Sequence, residues 1–189
     1  MNNKLTSEQI ENNKKEILFL LNRVKRAGID ALCNWLSESD FFYAPASTMR
    51  HGSFRGGLAA HSYEVYKEFD RQVDNYSLKV PRESRLISAI LHDACKINIY
   101  AENKLKKGNL SESKPYKINN SFPYGHGEKS VLIAQKYISL TEQESMLIRW
   151  HMGPYEPNFE DYQDSVEKYF PECILFHHVD KEIALLRGL

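Results

Sequence analysis

Six side chains able to hold a metal ion are spread along the chain in the order His61, His92, Asp93, His126, His151 and Asp180. Imidazole nitrogens and carboxylate oxygens suit borderline and hard divalent ions, so the set points to Mn, Fe, Co, Zn, Ni or Mg rather than to a thiolate-held structural zinc. No cysteine belongs to it. Cys33, Cys95 and Cys173 are odd in number, far apart, in no zinc-type spacing and set among apolar neighbours, and they read as reduced, buried thiols. Adjacent residues on a helix point about 100° apart, so His92 and Asp93 cannot share a helix face, but at a helix end both can reach one centre.

The elements that must bring these residues together read as helices, each candidate lying on or beside a different one. Helical bundles build metal sites in this way, from inward-pointing side chains on facing helices. Leu58, His61, Val65 and Phe69 recur at three- and four-residue steps over 58–73, which puts His61 on a buried face. Pro81 starts a helix that is apolar nearly all round through Leu91 and delivers His92-Asp93 at its end. Further helices are expected over about 127–138, over 142–150 behind a Thr141-to-Glu144 capping box, over about 162–169, and from Pro171 to about Arg187. Ahead of these, Thr6 to Val24 and about Asp30 to Leu36 form a helical pair, the first capped by Thr6 or Ser7. Residues 41–57 gather Pro45, Gly52, Gly56 and Gly57 and read as an ordered loop. Residues 98–125 lack helical period and form a hairpin flap or a mobile loop.

Taken together, the motifs resemble those of the HD-domain metal-dependent phosphohydrolases. Arg55-Gly56-Gly57-Leu58-Ala59-Ala60-His61 is similar to their glycine-leucine-x-x-histidine segment, and Leu91-His92-Asp93-Ala94-Cys95-Lys96 to the His-Asp pair that names them. His178-Val179-Asp180 resembles the helix that supplies their last aspartate, while Gly125-His126 and Trp150-His151 resemble the two extra histidines of multi-histidine, binuclear members. The resemblance implies an all-α HD-type bundle over 1–189, with 1–40 as a helical extension packed on it and 98–125 as an insertion. It implies a first metal on His61, His92, Asp93 and Asp180, and a second on His126 and His151 with Asp93 bridging. The activity implied is hydrolysis of a phosphomonoester or phosphodiester of a nucleotide or short oligonucleotide, through water whose pKa a metal lowers toward about 7. Asp93 and Lys96 would be catalytic, and Arg55, His51 and Lys129 would bind substrate. A di-iron oxygenase on a similar bundle and a non-catalytic nucleotide-sensing module are the competing readings.

Other features bear on partners and location. Hydrophobic residues make up 42% and charged residues 26% of 189, the balance of a soluble globular chain, and no apolar run approaches the roughly 18 residues of a membrane span. Met1 to Lys4 opens without a signal-peptide core, so a cytoplasmic protein is expected. A formal net charge of zero gives no overall attraction for a nucleic-acid backbone. Lys104, Lys106, Lys107, Lys114 and Lys117 in the flap form a solvated surface or steer a polyanion, and Tyr100, Tyr116, Phe122 and Tyr124 anchor the loop or stack a base. His177, one helical turn before Asp180, reads as a residue that packs behind the site.

Overall fold

The computed structural model describes residues 5–106 and 108–189, so the Met1 to Lys4 opening and Lys107 lie outside the described residues. Helix accounts for 57% of the described residues and strand for 4%, which is the all-helical class expected. The helices are α1 (Ser7–Leu21), α2 (Ile29–Glu38), α3 (Gly57–Asn75), α4 (Arg82–Leu91), α5 (His126–Ala134), α6 (Glu142–Trp150), α7 (Phe159–Tyr169) and α8 (Glu172–Glu182). Among the described residues no helix is long and apolar enough to cross a membrane.

Local chemistry explains the boundaries. Thr6 caps α1 and Thr141 caps α6. Each hydroxyl accepts from the backbone N–H three residues on, while the side chain there, Gln9 or Glu144, accepts from the cap's own N–H. Pro81 is the residue before α4, its fixed φ of −56° feeding the first turn. The flap is a short antiparallel hairpin, β1 (Tyr100–Glu102) paired with β2 (Tyr116–Ile118), with Tyr100 opposite Ile118.

Helix α4 is the centre of the packing. It lies against α3 on one side and α6 on another, and α8 closes over α3 and α6. Two apolar clusters meet along this layer. One gathers Ile17, Leu21, Leu32 and Leu36 from α1 and α2 with Leu58, Ile87, Ile90 and Leu91; the other gathers Val65, Phe69, Ala89, Leu147, Phe176 and Val179. A buried Arg85 ties α4 to α3 by donating to Asp70 at 2.9 Å and Asp74 at 2.7 Å. The last helix departs from expectation. α8 ends at Glu182, and residues Ile183–Arg187 widen into a π-type turn that swings the chain back toward α3.

Candidate metal centre

Five helices and the turn after α4 deliver the ligand candidates to one point. His61 comes from the second turn of α3, His92 from the C-terminal end of α4, Asp93 from the junction with the 3-10 turn Ala94–Lys96, His126 from the start of α5, His151 from the end of α6, and Asp180 from α8. Two glycines let these elements close up. A Cβ on Gly57 would fall 2.0 Å from the carbonyl oxygen of Gly52, and one on Gly127 would fall 2.1 Å from that of Arg149, so neither the loop before α3 nor the α5–α6 contact admits a side chain there.

Their polar atoms converge. His61 Nε2 lies 3.2 Å from His92 Nε2 and 2.9 Å from Asp180 Oδ1. His92 Nε2 lies 3.3 Å from Asp93 Oδ2, His126 Nε2 2.8 Å from Asp93 Oδ1, and His151 Nε2 3.7 Å from the same oxygen. Three overlapping triads have metal-ligand spacing, namely His61 with His92 and Asp180, His92 with Asp93 and His151, and Asp93 with Cys95 and His126. All six sequence-derived candidates are therefore brought together, with Asp93 at the middle.

The outer nitrogens decide what the inner ones can do. His61 Nδ1 lies 3.0 Å from the Leu189 carbonyl oxygen, His92 Nδ1 2.8 Å from that of Ala89, and His151 Nδ1 2.7 Å from that of Ile148. A carbonyl oxygen only accepts, so each Nδ1 carries a proton and each neutral ring aims an Nε2 lone pair inward. Two such lone pairs facing each other at 3.2 Å repel unless a proton or a metal ion lies between them. His151 Nε2 is buried and has no hydrogen-bond partner, a state that costs free energy in the absence of a ligand. Both observations fit a metal ion.

The two carboxylates also draw protons onto neighbouring rings, protons that a bound cation would displace. Burial opposes ionisation of Asp93, yet Lys96, His92, His126 and His151 hold its carboxyl well below the usual range; His61 and His92 do the same for Asp180. Burial also opposes protonation of His92, but Asp93 and Asp180 outweigh it and push its pKa up to about 10. For His126, burial is overcome by Cys95 and Asp93, again to about 10. His151 goes the other way, to about 4, because burial and the neighbouring imidazoles prevail over Asp93. The buried ring of His151 therefore stays neutral and free to ligate, whereas His92 and His126 would each give up a proton on binding a metal ion.

Lys96 donates to Asp93 Oδ2 at 2.6 Å, and its ammonium is stabilised by that carboxylate. His51, on the loop before α3, stacks obliquely 5.5 Å from the His61 ring and is half-buried, its pKa lowered to about 4 by burial and by Lys96. The other two substrate-side candidates stand differently. Exposed Arg55 lies over the Tyr43 ring at 4.4 Å, and buried Lys129 donates to Asn120 at 2.7 Å; neither bonds to a cluster residue. His177 packs behind the site, with its Nδ1 2.7 Å from the His151 carbonyl oxygen, while His178 points to solvent.

Three contributors escape a reading of the sequence. Cys95 is buried as expected, but its Sγ lies 3.3 Å from His126 Nδ1. Its position two residues after Asp93 was the available signal. Glu156 is buried too. It accepts from the Gly127 N–H at 3.0 Å and from Arg149 at 3.0 Å, and Arg149 also holds Glu128, so a three-residue clamp fixes the start of α5. The Leu189 carbonyl had no signal at all. A cavity of about 590 Å3, lined by Trp150, Phe159, Ile174, His177 and Leu185 among others, includes none of the six ligand candidates. Convergence of ligands rather than cavity size identifies the centre.

No family model matches the chain, and neither a curated protein nor a solved structure matches it.

Proposed function

We propose that the chain is a metal-dependent phosphohydrolase of the HD superfamily, acting on a phosphomonoester or phosphodiester of a nucleotide or short oligonucleotide. The observation that carries this reading is the meeting of four imidazole Nε2 atoms with Asp93 and Asp180, three of the rings already tied back through Nδ1. The order of the motifs, with the His-Asp pair at the end of the most buried helix, supports it as well. One ion would be held by His61, His92, Asp93 and Asp180, and a second by His126 and His151 with Asp93 shared. A divalent ion in such a position makes water acidic enough to attack phosphorus near neutral pH and neutralises charge on the phosphoryl oxygens.

The chain's own groups contribute around that chemistry. Lys96 keeps its positive charge at neutral pH, next to Asp93, and so supplies a cation for the phosphoryl oxygens. His51 stays neutral at pH 7, which leaves its ring N–H able to donate to a phosphoryl oxygen. Tyr100, whose hydroxyl donates to the Ala46 carbonyl at 3.3 Å, has its pKa pushed up to about 12 by burial and remains a donor. His126, 32% exposed at its side chain while His61, His92 and His151 are at most 1%, marks where solvent and substrate approach.

Elemental analysis followed by a metal-supplemented screen of nucleotides, cyclic nucleotides and short RNA and DNA tests this reading. Asp93→Asn is expected to lose bound metal and to lower hydrolysis by about a hundred-fold or more, with helical content by circular dichroism retained. Hydrolysis by that variant at the wild-type rate overturns the reading. Two bound irons and no turnover of any phosphate ester would instead favour the oxygenase.

A further inference from the structure

Phe122 and Tyr124 sit on the segment that leads from β2 into α5, and the reaction proposed above uses neither. Their rings stack, with centroids 5.6 Å apart and planes 27° from parallel, and they remain 38% and 54% exposed. Rings that anchor a loop to a core are buried; these two are ordered against each other and left facing solvent. Their support is built in. Asn120 Oδ1 accepts from the Phe122 N–H at 3.2 Å and from Lys129 Nζ at 2.7 Å, and that ammonium lies 5.5 Å from the Phe122 ring centroid. The Tyr124 N–H donates to the Phe122 carbonyl at 3.0 Å. Lys129 is itself buried, so α5 braces the pair from below.

The pair also stands at the right place. Tyr124 precedes His126 by two residues, which limits their Cα separation to about 7 Å. His126 is the ligand candidate at the open edge of the cluster. Tyr124 and the ligand candidate at that edge are thus close neighbours along the backbone.

We propose that Tyr124, backed by Phe122 and braced by Lys129, is the platform on which the nucleobase of the substrate stacks. This rests on the phosphohydrolase reading and adds to it that the base, and not only the sugar phosphate, is recognised. Stacking uses the π-face that every base has, so the platform favours nucleotides over base-free phosphates without choosing strongly among bases. Lys129, a candidate phosphate ligand from sequence, is in this view a positioning residue for the aromatic pair.

Two measurements on the Mn2+-supplemented protein test the inference. The first compares kcat/KM for adenosine 5′-monophosphate with that for ribose 5-phosphate; the second uses saturation-transfer NMR with adenosine, which has no phosphate to lose. The wild type should prefer the nucleotide by about ten-fold or more and transfer saturation to the adenine protons. Tyr124→Ala should abolish both the preference and the transfer, and Tyr124→Trp should restore them. Equal kcat/KM values with no transfer in the wild type, or a preference that survives in Tyr124→Ala, overturn the platform while leaving the phosphohydrolase intact. Adenine transfer without turnover of either phosphate supports the platform and sinks the phosphomonoester form of the phosphohydrolase reading. Absence of both sinks the platform and that form together.

Discussion

His151 is the side chain on which presence or absence of a metal makes the largest difference. Its Nδ1 is satisfied by the Ile148 carbonyl, whereas its buried Nε2 has no partner. In metal-free protein, His151→Leu removes a buried unsatisfied nitrogen but also the bond to the Ile148 carbonyl, so the two effects offset and stability should change by no more than about 1 kcal/mol in urea unfolding. The same variant should bind fewer ions per chain by elemental analysis. A large loss of stability without metal, or unchanged stoichiometry, would contradict a ligand role. Cys95 illustrates how residue types mislead at this scale. Apolar neighbours in sequence marked it as a buried thiol, which it is, yet its sulfur still lies against His126 because the 3-10 turn after Asp93 directs it toward the site.

Between elements, Glu68 links α3 to the π-type turn that follows α8. Its carboxylate accepts from Arg71 on its own helix and from Arg187 at 3.0 Å. These bonds, against the opposing effect of burial, lower its pKa from 4.5 to about 2. A depressed carboxyl pKa gives stability that is fully present above about pH 4.5 and is lost as pH falls through about 2. Arg71 and Arg187 are both substantially exposed, so solvent screening trims the effect. Glu68→Gln should therefore cost about 1–2 kcal/mol at pH 7. Its unfolding free energy should approach that of the wild type near pH 2. A mutational difference independent of pH would show that packing, not charge, makes the link.

Over the whole molecule, Phe176 joins the second apolar cluster to the metal centre. It is fully buried, packs edge-on against Phe69 at 4.7 Å and against the His92 ring at 5.8 Å. Phe176→Ala should destabilise the fold by about 3–5 kcal/mol in urea unfolding, because the cavity opens between three helices that have few ways to collapse. A cost under about 1 kcal/mol would mean that α8 is not held by this contact. The same contact explains what was legible in the sequence. Helices with a clear 3.6-residue period, a cap at Thr6 or Ser7 and the capping box at Thr141 could be read directly, since each depends on residues a turn or two apart, whereas the six ligand candidates were offered by the order of motifs along the chain and not by local spacing. Less could be read of the flap, whose β1–β2 register pairs residues as far apart as Tyr100 and Ile118, or of the helix end at Glu182, where apolar Ile183, Leu185 and Leu186 continue without a stop signal. The clamp of Glu156, Arg149 and Glu128 was equally hidden, because charged residues on surface-like positions carry no periodic mark of burial.

The return of the chain after α8 ties its far end to a ligand. Gly188, in the left-handed conformation, gives its carbonyl to the Gly52 N–H at 3.0 Å, and the next carbonyl, that of Leu189, meets His61 Nδ1. A side chain that disfavours the left-handed turn at Gly188, as in Gly188→Val, would thus loosen an imidazole 128 positions before Leu189. Such a variant would then retain cations less tightly without any change to a ligand.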